Sequence, residues 1–414
     1  MSLKHYLWYN PQDQYYYAND SECFDGFVVN AHILAHNAKA FLAYQIEHPK
    51  PFFVIPDVHA FQFYTDELFI SEKGDFRTSW HKLRKAYAGV VDKALAQHRS
   101  LDPDDFKSDS DVDAFASSVL DFQRNSLVQP LRALRRLLPT TRSEAPLPEF
   151  LVAPHFFFAG AGDRWHHLAI RANQAAVKCK GNEKLYVLIM CPKSCLAQSE
   201  VRTILSDFEG DGIDGYLIWI DEFDEFAENE QTLQGLLELV QGLSSTKKPV
   251  FNLYGGYFSA LLNYYGLYAY ASGICTRDKM SAVPRIQSGG PAGGPIPRYY
   301  IPELHSKLVQ EDAQRLIGQI GSLGCSCQIC SSYSPLTMPN KIKPERSALR
   351  RVMKEHFLHV TARQIGRINS EPAADILTEM SAAASLVTNE YPIFDGRYLA
   401  RWSNVISSSP AAHG

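Results

Sequence analysis

The sequence predicts an α/β protein: a single (β/α)8 barrel of the TIM type with a helical insertion and a small metal-stapled unit near the C-terminus. Three observations predict it. Short apolar runs alternate with amphipathic stretches of helical length, which is the βα rhythm. The chain has 414 residues, 45% hydrophobic and 21% charged, enough to bury one large core. Three of its eight cysteines, Cys325, Cys327 and Cys330, fall within six residues and precede a basic stretch that carries His356.

Candidate strands lie at 26–30, 51–55, 149–153, 185–190, 215–220 and 250–254. Each is too short for a helix and apolar at nearly every position, as expected of strands covered on both faces of a parallel sheet. Helices are expected over 163–178 and 231–243; in the second, Leu233, Leu236, Leu237 and Val240 share one face. Residues 65–148 break the rhythm and read as a helical insertion, with the acidic stretch 102–113 as an exposed loop inside it. The Gly/Pro-rich stretch 288–297 suits neither helix nor central strand, and there is no internal repeat. The expected division is a barrel over 1–320, a metal-binding unit over 321–370, and a closing helix with a disordered tail over 371–414.

The cysteine spacing is C-x-C-x-x-C, followed after 25 intervening residues by His356. Three thiolates and one imidazole make a closed tetrahedral donor set, the set zinc takes in structural sites. His359, one turn further along the same helical face, is the alternative fourth ligand. The other cysteines, Cys23, Cys179, Cys191, Cys195 and Cys275, form no paired framework, which points to a reducing compartment. Residues 1–8 hold no signal-peptide apolar run, and nothing later approaches the roughly 18 apolar residues of a membrane span. A soluble cytoplasmic protein is expected. Net charge is −4, so nucleic-acid binding would have to come from local patches. The strongest runs from Lys341 to Arg367, where Arg346, Arg350, Arg351 and Lys354 are the candidate phosphate contacts. Arg132, Arg135, Arg136 and Arg142 form a second patch in the insertion.

In a parallel barrel the C-terminal strand ends build the active site. Here those ends carry Asn30, His32, Asp57, His59, His155, Cys191, Asp221, Glu222 and Tyr257. Asp57, Asp221 and Glu222 place carboxylates on one rim, where differing environments can divide them into acid and base.

Cys325, Cys327, Cys330 and His356 match in kind and spacing the zinc site of the queuine and archaeosine tRNA-guanine transglycosylases, which the chain resembles. The stretch from His356 to Arg363 is similar to the helix that continues from that family's zinc histidine. Asp57-Val-His-Ala-Phe61-Gln62 is similar to the family's strand-end motif, in which the Asp acts on the base, the aromatic stacks on it and the Gln lines the pocket. The stretch from Gly266 to Arg277 stands where the family has a strand before its Thr-Arg loop. The resemblance implies a TIM barrel, structural zinc, exchange of guanine in nucleic acid for a 7-deazaguanine, and a homodimer or partner protein.

The chain also departs from that pattern. Ala271 and Ser272 stand where the family's nucleophilic aspartate is expected, His155 falls near its base-reading aspartate, and Cys191 replaces a pocket glutamine. The family's Gly-Gly-Leu stretch is replaced by residues 218–222, which end in Asp221 and Glu222. Base exchange passes through an oxocarbenium-like state, so it needs an anionic group near C1′ and an acid for the departing base. Asp57 and Asp221 are the candidates, with Glu222 as substitute, and Phe61 or Tyr257 as a stacking platform for an extruded base. Two expectations follow: an enzyme acting on tRNA or DNA with a rebuilt pocket for a purine or 7-deazapurine base, or a silent zinc-stapled subunit that binds nucleic acid or a partner.

Overall fold

The computed structural model describes residues 1–87, 89–137, 144–275, 278–283, 298–332, 343–391 and 394–409, the side chains of 137 and 343–349 excepted. The 288–297 loop, the Thr276-Arg277 pair, Lys341, Arg142, the side chain of Arg346 and the last five residues lie outside that set.

Eight strands form the barrel: β1 (Lys4–Trp8), β2 (Gly26–Asn30), β3 (Phe52–Ile55), β4 (Leu151–Val152), β5 (Leu185–Pro192), β6 (Gly215–Asp221), β7 (Val250–Asn252) and β8 (Ala269–Ser272). They make one sheet in the order β3-β2-β1-β8-β7-β6-β5-β4, every neighbouring pair parallel. That order is cyclic, and its two ends meet where the Glu149 N–H donates to the Phe52 carbonyl at 2.7 Å. The fold is therefore the expected TIM-type barrel, with a seam between β3 and β4.

Alternate side chains fill the interior. Tyr6, Phe53, Phe150, Tyr186 and Phe251 form a ring-on-ring layer, with Phe150 and Tyr186 stacked at 3.7 Å. Gly215 makes room for it, because a Cβ there would stand 2.3 Å from the Tyr186 ring. The opposite faces, with Leu7, Val29, Val54 and Ile218 among them, pack against the helices.

The seam is finished by a side chain. Val152 turns one edge of β4 toward β3, and the Gln123 amide of the insertion caps it: Gln123 Nε2–H donates to the Val152 carbonyl and the Val152 N–H donates to Gln123 Oε1, both at 2.8 Å. Gln123 is 1% exposed. Gln123→Leu should strand both backbone groups, and at about 1–3 kcal/mol for each buried unsatisfied group the loss should be on the order of 2–6 kcal/mol. Urea unfolding monitored by circular dichroism measures it; an unchanged midpoint would mean the seam closes without the amide.

Gln123 sits on the helix Asp109–Asn125, which buries Val112, Phe115, Ala116, Val119 and Leu120 and packs on the helix Arg164–Cys179 and on β4. Part of the insertion is thus the barrel's own outer helix between β3 and β4. The acidic stretch holds a short 3-10 turn, Pro103–Asp105, capped by Asp102, and then starts a helix: Ser108 caps it in a capping box with Asp111, and Asp109 and Asp111 fill the first turn. Carboxylates there oppose the positive end of the helix dipole, so the acidic run starts a helix.

Beyond β8, an antiparallel hairpin of β9 (Arg298–Ile301) and β10 (Ser306–Val309) lies against the long helix Lys343–Ser370. Two helices follow, Ala373–Glu390 and Arg397–Ser408. The second buries Trp402 and packs on the helix Glu230–Ser244. Ser407 and Ser408, expected in the tail, belong to that helix. Among the described residues no helix is long and apolar enough to cross a membrane.

Candidate active site and metal-ligand cluster

A cavity of about 390 Å³ opens at the C-terminal ends of β2, β3, β6 and β7. Asn30, His32, Asp57 and His59 supply its polar groups, Trp80, Trp219 and Tyr254 its aromatic walls, and residues 280–282 one side. The insertion adds Glu67, Leu68 and Arg77 beside Trp80.

Asp57 anchors the polar wall. It follows β3 in the left-handed region, φ 56°, which an L-residue adopts only when its surroundings hold it there. Only 3% exposed, it accepts from Asn30 Nδ2 at 2.8 Å, from the His32 N–H at 2.9 Å and from His32 Nδ1–H at 2.7 Å. Burial opposes its ionisation, but the charge and hydrogen bonds of His32 prevail and hold the carboxyl below the usual range. An ionised Asp57 makes Nδ1 the donor on His32 and leaves the Nε2 edge of the ring to the cavity. The His32 side chain is 41% exposed and lies near-parallel to Trp80, centroids 5.6 Å apart. Sequence reasoning noted His32 only as a strand-end residue; its position two residues after β2, facing an Asp two residues after β3, was the available signal.

His59 and His155 form a buried pair, Nδ1 to Nε2 at 3.1 Å. Burial drives both below ordinary imidazole values, His59 to about 4 and His155 to about 3, so both are neutral at pH 7. His59 meets the cavity edge-on to Trp219, and His155 stands behind it.

The other expected site residues are dispersed. Phe61 is fully buried among Phe69, Trp80 and Tyr87, so it stacks on protein and is closed to a base. Gln62 is occupied by the Phe157 backbone, donating to its carbonyl and accepting from its N–H. Cys191 is on the outer, helix-facing side of β5, fully buried, where its hydrogen bond to Cys195 and burial raise its thiol well above normal. Tyr257 lies flat on His305, centroids 3.4 Å apart, away from the mouth cavity. Asp221 continues the inward row of Leu217 and Trp219, but its Oδ1 accepts from the Ala282 N–H at 2.6 Å, so it braces the cavity wall. Glu222 is exposed, with φ 50°. Ala271 faces the barrel interior, and Ser272 faces outward to His5 Nε2 at 2.9 Å.

The metal-ligand expectation meets a formed cluster. Ligand atoms of Cys325, Cys327, Cys330 and His356 all lie within 4.8 Å of one another, a set that can hold a metal ion. His356 Nδ1 is 3.4 Å from Cys327 Sγ and 3.3 Å from Cys330 Sγ. Its Nε2–H donates to the Tyr300 carbonyl at 2.7 Å, which fixes the tautomer and leaves the Nδ1 lone pair for an ion. Tyr299 stacks on the imidazole at 4.5 Å and its hydroxyl reaches Cys330 Sγ at 3.1 Å. The Cys327 and Cys330 N–H groups point at the sulfurs of Cys325 and Cys327, stabilising thiolate charge. His359 is not the fourth ligand: its Nε2 binds Asp20 Oδ1 at 3.0 Å.

The basic helix is less available than its composition suggests. Lys354 is paired with Asp13, and Arg367 with Glu371 and Glu379. Arg351, half-exposed, pairs with Glu355 and lies over the Tyr15 ring. A larger cleft of about 770 Å³ near the hairpin is lined by charges already matched, Asp224 with Lys279 and Asp278 with Lys307.

Fold and site together define a (β/α)8 barrel with a polar, aromatic-walled mouth and a separate Cys3His cluster. No family model and no curated protein matches the chain. Among solved structures it is similar to an intracellular xylanase from Thermoanaerobacterium saccharolyticum, at 10% identity and TM-score 0.37, over 70% of this chain and 90% of that one. A mutant of that xylanase in complex with xylotriose matches at 10% identity and TM-score 0.34, over 70% and 89%. A likeness this distant says nothing about chemistry.

Proposed function

We propose that the protein is a transglycosylase-like enzyme that exchanges guanine in tRNA or DNA for a 7-deazaguanine, with the base held in the mouth cavity. The observation that carries this reading is the Asp57–His32 pair set among Trp80, Trp219 and Tyr254. Flat aromatic walls suit a purine extruded from its stack, and a carboxylate-oriented imidazole suits proton transfer to it. As the C1′–N9 bond breaks, its electron pair passes to the base and His32, entering the step as the imidazolium with Nδ1–H on Asp57, gives up its Nε2 proton and becomes neutral. The incoming base returns a proton to His32 as its nitrogen attacks C1′. A rim carboxylate, Asp221 or the insertion's Glu67, offsets the charge on C1′; Asp221→Asn and Glu67→Gln separate the two. Zinc is the ion we assign to the Cys3His cluster, in a structural role because four protein ligands leave no open position.

Ala271 favours a second reading, a silent subunit that binds nucleic acid or a partner without exchange, because no carboxylate stands at the position implied for the nucleophile. Incorporation of labelled guanine into DNA and tRNA offered together decides between them. Label in one polymer is expected. Saturable binding of either polymer without label would support the second reading, and neither label nor binding would count against both.

A further inference from the structure

A second cluster of metal-type ligands lies outside the mouth cavity and the Cys3His cluster. Glu22, Cys23 and His359 bring a carboxylate oxygen, a thiol sulfur and an imidazole nitrogen within 4.8 Å of one another. Cys23 ends the short helical turn Ser21–Cys23, which packs on the long helix carrying His359. The site joins chain positions more than 300 residues apart, Cys23 to His359, and it is buried on one side, with Cys23 5% exposed and Glu22 facing solvent.

Asp20 is the independent observation. Only 6% exposed, it accepts from His359 Nε2–H at 3.0 Å through Oδ1, while its Oδ2 is buried without a hydrogen-bond partner. A carboxylate holding one imidazole nitrogen frees the other, Nδ1, for an ion, the carboxylate–histidine–metal arrangement. His356, one turn earlier on the same helix, is prepared in the same way by the Tyr300 carbonyl. Charge agrees with this. Asp20 faces His359, Glu22 and Cys23 stand near Lys50, and Lys50 is itself drawn to the Phe24 carbonyl and the Phe24 ring. A cation at the cluster would offset the crowding of acidic groups there, with Asp20 orienting the imidazole from its other side.

We propose that Glu22, Cys23 and His359 form a second metal site, which takes a zinc-class divalent ion and ties the segment entering β2 to the long helix. Mixed sulfur, nitrogen and oxygen donors favour zinc or cobalt over calcium or magnesium. The tie bears on the cavity, because β2 ends in Asn30, which holds Asp57.

The test is metal stoichiometry of the untagged full-length chain after equilibrium dialysis against zinc. Two ions per chain are expected, falling to one in Cys23→Ala and in His359→Gln. With cobalt, the ion lost in Cys23→Ala should carry the weaker thiolate charge-transfer band, one sulfur against three. Retention of the stronger band shows that the variant is folded. One ion per chain in the unaltered protein, or two retained in both variants, overturns the proposal. Should a variant lose both ions, Glu22→Gln replaces it: at this exposed position the second ion should bind about tenfold more weakly, and unchanged affinity also overturns the proposal.

Discussion

Cys330→Ser is expected to cost the protein its Cys3His ion and much of its folded yield. The side chain is 5% exposed, faces His356 Nδ1 at 3.3 Å, and receives the Tyr299 hydroxyl, so serine removes a ligand and leaves its neighbours mismatched. Ion binding at such sites is coupled to folding and contributes roughly 10–16 kcal/mol in small zinc peptides. Losing one ligand of four should forfeit several kcal/mol of that. Thermal melts with and without chelator, read beside metal content, measure it. A soluble Cys330→Ser variant with unaltered melting and its full complement of metal would show that the cluster is not a metal site.

On the proposed reaction, Asp57→Asn should abolish base exchange or lower it by roughly a hundredfold or more, the usual scale for a lost acid–base partner. Asparagine can accept through only one atom, whereas Asp57 accepts from Asn30 and twice from His32. It therefore turns a donor toward a donor and releases the His32 ring. The kinetic loss should lie in kcat, and His32→Gln should reproduce it with KM little changed. The same group also marks the acid limb of stability. Its folded pKa is depressed, so its contribution is fully present above the unfolded value near 3.8 and is lost as pH falls through the folded value. Asp57→Asn should flatten the steepest part of acid unfolding. Wild-type exchange rates in Asp57→Asn would remove the dyad from the mechanism.

Much of the barrel is legible in the sequence because buried parallel strands are apolar throughout. The expected 26–30 and 215–220 strands coincide with β2 and nearly with β6, and the helix begun at Asp163 has that residue as its N-cap, accepting from His166 N–H. β1 escapes the same logic. It opens with Lys4 and His5, whose polar character has partners only in the fold: Lys4 lies over the Tyr268 ring and His5 is bonded to Ser272. β4 shrinks to two residues because the insertion's glutamine does the pairing its neighbour strand would do. The Cys3His cluster is legible from spacing alone, since its geometry is local to one turn and one helix. The cavity is not, because it depends on which face of each strand end points inward. Cys191 and Asp221 end adjacent strands, yet the pleat turns one to the helices and the other to the mouth. Trp80 and Arg77 come from an insertion whose docking no periodicity reveals.

At the seam the β3-facing edge of β4 is held by the Gln123 amide of the insertion's helix. Elsewhere neighbouring strands are stitched by backbone ladders, which open only with the strands themselves, whereas a single side-chain amide can release by rotamer change. The segment that leaves β3 at this seam also bears Asp57, Trp80 and Arg77, so its excursions would widen or narrow the mouth. Amide hydrogen exchange at Val152 should therefore be faster than at Ile218 in the middle of β6, and a bound base should slow it. Substrate would enter through a wall that breathes, with the rest of the cylinder held shut.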